Sequence, residues 1–265
     1  MRWLQQLVVS ALLLALAGAV HAELQTETVT YNIKGQTFNG YIAWDDSVEG
    51  KRPGVLVVHE WWGHNEFVRD QADRLAKEGY TAFALDMYGA DKKAEHPDDA
   101  KAFMKEATSD FTKTRRRFNN AREILMRHET VDPQRIAAQG YCFGGSVVLN
   151  MARDGADLDG VVSYHGSLGG ALMAEPDNVK ARIRVFTGGA DNFVPAKQVA
   201  EFVREMHKAG ADLTLTTFPG VKHSFTNPGA DQFARKFDMP VAYDEDAAER
   251  SWDETLEFYN KIFKQ

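Results

Sequence analysis

The stretch that decides the fold is Gly140-Tyr141-Cys142-Phe143-Gly144-Gly145, which sets the only cysteine of the chain in a Gly-x-Cys-x-Gly frame. The β-prone run 134–138 leads into it, and the run 146–151 behind it has a helix-compatible pattern. A strand, a tight turn and a helix can hold a nucleophilic side chain at a strained corner, because flanking glycines let strand and helix pass closely. The alternative is a buried structural cysteine, since free cysteine is among the most buried residue types.

Strand and helix patterns alternate on both sides of this turn. The predicted strands are 27–33, 37–44, 55–58, 80–85, 134–138, 160–164, 181–187 and 213–218. The predicted helices cover 67–78, about 98–128, the segment after the turn, a segment opened by Pro195 with Val199, Phe202, Val203 and Met206 on one face, and the C-terminal segment. No linker or repeat interrupts them, so we predict one α/β domain over residues 23–265. Its doubly wound, mostly parallel sheet is flanked by helices.

Residues 1–22 have the pattern of a secretory signal peptide. Arg2 precedes an apolar run from Leu7 to Val20, and small residues surround the predicted cleavage site after Ala22. A membrane anchor is the alternative, but the run is short for a span. We therefore expect an exported protein, periplasmic or secreted, without a stable membrane span after cleavage.

Charge and cysteine content limit the possible partners. The formal net charge is −7, and Arg115-Arg116-Arg117 is the one basic cluster, which we interpret as a solvated helix face. An acidic chain of this kind is not expected to bind nucleic acid. A single cysteine cannot form an internal disulfide, so it is either protected by burial or kept for its reactivity.

Three residues with reactive side chains follow predicted strands, and their order along the chain is informative. Cys142 comes first, then Asp191, then His223 in the segment after the last strand. Nucleophile, acid and base in this order are typical of α/β-hydrolases. We expect His223 to take the thiol proton and Asp191 to fix the histidine tautomer. The backbone N–H groups of Phe143 and Trp61 are the predicted oxyanion donors.

Two histidine patterns compete with this interpretation. His59 and His64 resemble a zinc-protease motif, but they are five residues apart at a strand end, whereas the motif needs a spacing of four on a helix. No metal ligand is therefore predicted. His165 ends a strand and could replace His223 as the base, although it precedes the acid in the chain.

The turn hexapeptide, the Gly-x-x-Asp at 188–191, the His-Ser-Phe at 223–225 and the His-Glu-x-x-Gly at 59–63 together resemble the dienelactone hydrolase family. The similarity runs from about Gly54 to the final helix. It implies a single-domain α/β-hydrolase that hydrolyses small-molecule esters or lactones without a cofactor. Cys142 would be the nucleophile, Asp191 the acid and His223 the base. Glu60 corresponds to the family's glutamate, which hydrogen-bonds the resting thiol and releases it when substrate arrives; a solvated strand-end acid is the alternative.

The sequence departs from the family at the substrate clamp. Family members hold a substrate carboxylate with two arginines, but 89–92 here reads Gly-Ala-Asp-Lys, and Asn227 stands four residues after His223. Neither asparagine nor a mobile lysine replaces a bidentate guanidinium well. Trp61, Trp62, Tyr88, Phe143 and Phe225 instead indicate a pocket walled by aromatic rings. We therefore expect neutral esters or lactones as substrates.

Two other function classes remain open from the sequence. A redox or thiol-transfer protein would use Cys142 alone, without Asp191 and His223, and usually carries a Cys-x-x-Cys pair that is missing here. A non-catalytic binding protein on a hydrolase scaffold is the second alternative. Binding alone would not require a nucleophile, an acid and a base in this order.

Overall fold

One eight-stranded sheet organises residues 23–264, the part of the chain that this computed structural model describes. Its strands are β1 Leu24–Ile33, β2 Gln36–Asp45, β3 Arg52–Val58, β4 Thr81–Leu85, β5 Val131–Tyr141, β6 Gly160–Tyr164, β7 Arg182–Gly188 and β8 Leu213–Phe218. Their spatial order is β1-β2-β4-β3-β5-β6-β7-β8. β2 is antiparallel to both neighbours, and β4, β3 and β5 to β8 run parallel. The prediction of a doubly wound, mostly parallel sheet is confirmed.

Helices cover both faces of the sheet. They are α1 Glu66–Lys77, α2 Pro97–Thr108, α3 Phe111–Arg127, α4 Phe143–Arg153, α5 Ala196–Lys208, α6 Ala230–Phe237 and α7 Glu245–Phe263. Alternate side chains of β3 enter two hydrophobic clusters: Leu56 and Val58 belong to the cluster that includes residues of α3, α4 and α5, and Val55 and Val57 to the cluster that includes residues of α1 and α7. Every residue of β3 is buried, as expected for a central parallel strand covered on both faces.

The opening hairpin illustrates how local sequence sets the geometry. Lys34 and Gly35 join β1 to β2 with φ angles of 51° and 83°. A two-residue turn with positive φ at both positions twists in the same sense as the strands that it connects. The predicted turn at 34–36 is therefore one residue too long, since Gln36 already belongs to β2.

The structure corrects the prediction of one helix over 98–128. Two helices, α2 and α3, occupy this region, because Ser109 caps α2 and Asp110 begins a new helix by accepting a hydrogen bond from the N–H of Thr112 at 2.9 Å. Helix α6 was not predicted at all. Its eight residues are too few to show a clear helical period.

Two predictions about side-chain exposure are also wrong. Arg117 does not lie on a solvated face: it is buried, and its guanidinium donates to the Met87 carbonyl oxygen at 2.5 Å and to Gln36 at 2.8 Å. Val203 shares a helix with the buried Phe202 and Met206 but is 40% exposed.

The predicted signal peptide, 1–22, lies outside the described residues. Between residues 23 and 264, no helix has both the length and the apolar character that crossing a bilayer requires.

Candidate active site

Cys142 lies at a strained corner between β5 and α4. Its φ and ψ are 52° and −113°, and its N–H donates to the Tyr164 carbonyl oxygen at the end of β6 at 3.0 Å. A Cβ on Gly140 would lie 2.2 Å from the backbone of Gly144, and a Cβ on Gly144 would lie 2.2 Å from the Val58 carbonyl oxygen. Only glycine fits at these two positions, so the hexapeptide brings Cys142 to the carboxyl edge of the sheet, where it is partly exposed.

Asp191 and His223 meet at the same edge. Asp191 follows β7 and His223 follows β8, and Asp191 Oδ2 lies 2.8 Å from Nδ1 of His223. Asp191 Oδ1 accepts hydrogen bonds from the N–H groups of Phe193 at 2.8 Å and Val194 at 3.2 Å. The loop after β7 therefore fixes the carboxylate, and the carboxylate fixes the ring with its Nε2 available to another partner.

Cys142 lines the same cavity as His223 and is near enough to influence the pKa of its ring. Burial alone would lower the pKa of His223, but the negative charge and the hydrogen bond of Cys142, together with those of Asp191, raise it to about 10. This environment favours the protonated, positively charged form of the His223 ring beside Cys142.

His165 does not take the place of His223. It is fully buried, its Nε2 lies 2.8 Å from the Thr226 hydroxyl, and Asp191 bonds His223 instead. Burial and the nearby charge of His223 hold the pKa of His165 well below its usual range, so its ring is neutral. The ring packs edge-on against His223, with centroids 5.0 Å apart, and helps to fill the space behind it.

Glu60 occupies a different place from the expected one. Its side chain is buried, and its Oε2 accepts a hydrogen bond from Asn227 Nδ2 at 2.6 Å. Burial raises the pKa of Glu60, against the opposing effects of Asn227, His223 and Ser224. No hydrogen bond joins Glu60 to Cys142 in the described part of the chain. The predicted hydrogen bond to the resting thiol is therefore not made among the described residues, where Asn227 holds the carboxyl group.

Both histidines of the zinc-like pattern bond backbone groups. His59 Nε2 accepts from the Met87 N–H at 3.1 Å, so its Nδ1 carries the proton that is donated to the Glu60 carbonyl oxygen at 2.5 Å. His64 Nε2 lies 3.0 Å from the Ala84 carbonyl oxygen. Among residues 23–264, no group of three or more His, Cys, Asp or Glu side chains is arranged to hold a metal ion. His59 instead anchors the loop after β3.

An apolar cavity of about 280 Å³ opens onto Cys142 and His223. The lining residues are Trp61, Trp62, Lys101, Met104, Cys142, Phe143, Ser146, Ser167, Phe193, His223, Ser224, Phe233, Met239 and Val241. The predicted wall residues Trp61, Trp62 and Phe143 are among them.

Two predicted wall residues lie elsewhere. Tyr88 is buried behind the wall, where its hydroxyl donates to the Trp61 carbonyl oxygen at 3.1 Å and its ring packs on Phe143. Phe225 is fully buried and packs against Phe218 in the cluster shared with α1 and α7. Ser224, at a φ of 60°, turns the chain, and the neighbouring Phe225 enters the core instead of the cavity.

Several cavity residues were missed in the sequence. Phe233 lies on α6 and stacks on Trp62 with ring centroids 4.3 Å apart, and Phe237, one helical turn later, also packs against Trp62. Met104 comes from α2, and Phe193 lies edge-on to His223. The spacing of four between Phe233 and Phe237 is the one signal that could have indicated a helix face turned toward the site.

The predicted oxyanion donors flank this cavity. Phe143 is the first residue of α4, where backbone N–H groups lack partners within the helix. Trp61 follows Glu60 in a loop held by the bond from the Gly63 N–H to the Glu60 carbonyl oxygen at 3.2 Å. Within residues 23–264, neither of these two N–H groups donates to another protein atom. Both are free to bind a developing negative charge.

Comparison with known proteins gives one consistent family. The model of the dienelactone hydrolase family matches residues 38–263. "Protein usf" of Aquifex pyrophilus is 28% identical over 89% of this chain and 98% of its own length. A putative carboxymethylenebutenolidase of Aquifex aeolicus is 27% identical over 90% and 99%, respectively. A crystal structure described as a dienelactone hydrolase-like promiscuous phosphotriesterase from metagenomic libraries is 29% identical, with a TM-score of 0.84 over 90% of this chain and 98% of that one.

Proposed function

Since this chain belongs to the dienelactone hydrolase family, and is therefore an ester or lactone hydrolase with an α/β-hydrolase fold, we propose that Cys142, His223 and Asp191 are its catalytic triad. The observation that carries the proposal is the 2.8 Å bond between Asp191 and His223, with His223 and Cys142 together at the mouth of an apolar cavity. A thiol used for redox chemistry or a binding site without catalysis would not need this arrangement.

The proposed reaction has two steps. The Cys142 thiolate attacks the carbonyl carbon of an ester or lactone, and the His223 imidazolium gives its proton to the leaving alcohol. The neutral His223 then takes a proton from water, which hydrolyses the acyl-thioenzyme and restores the thiolate–imidazolium pair. Asp191 keeps the ring oriented in both steps. The backbone N–H groups of Phe143 and Trp61 stabilise the oxyanion, and no step needs a cofactor.

The cavity favours a neutral substrate. Trp61, Trp62 and Phe233 supply an apolar wall. Lys101, exposed on α2, is the one lysine or arginine among the described lining residues. A carboxylate buried here would lose its hydration without gaining a guanidinium partner.

The two lysines nearest in sequence to the missing arginines do not supply that partner. Lys92 is paired with Glu106, and Lys222 is not among the cavity residues. We therefore expect kcat/KM for hydrolysis of the lactone bond to be at least tenfold higher for the neutral methyl ester of a dienelactone than for the dienelactone with its free carboxylate, a difference of about 1.4 kcal/mol. A tenfold preference for the acid would contradict this substrate class.

A panel of p-nitrophenyl esters and lactones tests the chemistry. Cys142→Ala and His223→Ala should each lower kcat/KM by about 10³-fold or more. His207→Ala, which removes an exposed histidine of α5, is the matched control and should not change turnover. Addition of EDTA should also leave turnover unchanged. Turnover that survives Cys142→Ala would overturn the assignment of the nucleophile. Because one similar solved structure is described as a promiscuous phosphotriesterase, the panel should also include a neutral phosphotriester.

A further inference from the structure

Helix α6 lies within a segment of the chain that leaves His223 and returns to it. The Ala242 N–H donates to the His223 carbonyl oxygen at 3.1 Å, where the segment ends. Asp231, near the beginning of α6, accepts a hydrogen bond from the Tyr243 N–H at 3.1 Å. These two bonds tie the end of the segment both to the catalytic loop and to the helix. Helix α6 therefore covers the cavity as a wall in a fixed position.

Helix α6 contributes to the cavity and not to the core around the sheet. Within the described chain, neither of the two hydrophobic clusters on the sheet includes a side chain of α6. Its rings belong to a third cluster, which forms around Trp62. Arg235 and Lys236, by contrast, are exposed on the outer face of the helix. Because the sheet is packed without α6, a change of side chain on the inner face of this helix alters the cavity more than the core.

Two phenylalanines of α6 pack on Trp62, and only one of them borders the cavity. Phe233 stacks on the Trp62 ring with centroids 4.3 Å apart and is a lining residue. Phe237 stacks on the same ring at 6.0 Å and packs edge-on to His96, but the cavity lining formed by the described residues does not include it. Both rings therefore support Trp62, whereas Phe233 alone occupies space next to the substrate.

The surroundings of Phe233 in the cavity suit an alkyl chain. Trp62 and Met239, like Phe233, are apolar lining residues. Ser146, which α4 brings to the cavity, already donates its hydroxyl proton to the Ser167 carbonyl oxygen at 3.0 Å. A polar group buried against these side chains would lose its hydrogen bonds to water, but an alkyl group loses none. Each methylene that leaves water there should strengthen binding about fourfold.

We propose that Phe233 is a specificity-determining residue, whose ring closes the α6 side of the cavity and sets the longest alkyl chain that an ester substrate can bury there. The chain belongs to the acyl group or to the alcohol, since both are recognised by the same apolar contacts. Chains that fit against Phe233 gain affinity with each methylene, and longer chains meet the ring. The inference rests on the proposed function, since it concerns substrates of the site named there, and it adds a limit on their size.

Two series of esters measure this limit. p-Nitrophenyl esters from acetate to decanoate vary the acyl chain, and alkyl acetates vary the alcohol. In the wild type, kcat/KM should rise about fourfold per methylene and stop rising at the chain length that reaches the wall. Phe233→Ala should move that point to longer chains in at least one series, and the series that responds identifies which part of the ester lies against α6.

The size of the effect is read as a ratio, which cancels any overall loss of activity. For Phe233→Ala in the responding series, kcat/KM for the longest ester divided by that for the shortest should exceed the wild-type ratio about tenfold or more. Phe233→Leu should give an intermediate ratio. This milder variant also carries the test if the urea unfolding midpoint shows that Phe233→Ala does not fold.

Phe237→Ala is the matched control. It removes an equal ring from the same helix and another contact with Trp62, but no lining side chain. Any loss of activity should therefore have the same factor for every ester. An unchanged limit in Phe233→Ala in both series would overturn the proposal. An equal shift in Phe237→Ala would also overturn it, because a loosened helix would then be the cause instead of the space that Phe233 leaves.

A binding measurement separates the inference from the proposed function. Linear alkan-1-ols contain no ester bond, and titration calorimetry with them should show the same limit in the wild type and the same shift in Phe233→Ala. This result from an enzyme that hydrolyses none of the tested esters would contradict the hydrolase mechanism alone. Hydrolysis that depends on Cys142, combined with a chain-length limit that Phe233→Ala does not move, would contradict the inference alone.

Discussion

At the scale of single residues, the sulfur of Cys142 is the proposed nucleophile, and its replacement by oxygen is a sharp test. Cys142→Ser keeps the shape of the turn and both partners, but a hydroxyl loses its proton far less readily than a thiol. The imidazolium environment of His223 then has no thiolate to stabilise. We expect kcat/KM for p-nitrophenyl esters to fall at least tenfold, measured against Ser146→Ala as a control in the same cavity. Equal turnover would show that the site does not depend on a thiolate.

The buried Glu60 carboxyl group should lower the free energy of unfolding at neutral pH. Burial raises its pKa above that of the unfolded chain, so the unfolded state ionises first as pH rises, and folding becomes less favourable above a pH of about 4.3. Glu60→Gln removes this penalty. We expect the variant to have a higher thermal midpoint than the wild type at pH 7, with a gain that shrinks toward pH 4. A gain of equal size at both pH values would mean that ionisation is not the cause.

The order of residues along the chain was enough to predict which of them would meet in the site. The directions in which their side chains point could not be predicted from it. The order of Cys142, Asp191 and His223 along the strands predicted that they would meet, because parallel strands bring their carboxyl ends to one edge. The bond between Glu60 and Asn227 spans 167 positions and depends on side-chain rotamers, so no local pattern indicates it. Phe225 shows the same limit: one backbone twist at Ser224 places it in the core.

At the scale of elements, the crossing of α4 over β3 depends on the absence of a side chain at Gly144. An added Cβ would lie 2.2 Å from the Val58 carbonyl oxygen, which belongs to the central strand and cannot move cheaply. Gly144→Ala should therefore lower the free energy of unfolding by about 3 kcal/mol or more and abolish activity. Urea denaturation measures this loss.

Gly169→Ala is the matched control for this change. Its added Cβ would meet the Gln198 side chain at 3.4 Å, an ordinary contact, and the expected change is within about 0.5 kcal/mol. A similar effect of the two alanines would contradict the close approach at the turn.

Elements with a clear strand or helix pattern were predictable, and a short helix or a break between two helices was not. β8 has the predicted bounds, Leu213–Phe218, and α1 differs from its prediction by one residue at each end. The division between α2 and α3 was missed because the helical period continues on both sides of Ser109 and Asp110. Helix α6 was missed because it is too short to show a clear helical period, although it supplies a wall of the cavity.

At the scale of the whole molecule, we predict that the chain is exported and cleaved after Ala22. Expression of the full sequence in a bacterial host should yield a periplasmic or secreted protein with Glu23 as its N-terminal residue, identified by N-terminal sequencing. Because β1 begins at Leu24, cleavage there leaves all the described strands and helices intact. Replacing a leucine within 7–20 by arginine should retain the uncleaved chain in the cytoplasm. An uncleaved, membrane-bound full-length product would favour the anchor instead.

Cys142 is the single cysteine of the chain and lies partly exposed in the cavity lining, which has a practical consequence. Each chain can take up at most one thiol-directed label, so the mass gained by a preparation counts its competent molecules directly, without a reference substrate. A fluorophore or spin probe attached there needs no prior removal of other cysteines. If Cys142 is the nucleophile that we propose, oxidation of this one atom should abolish turnover.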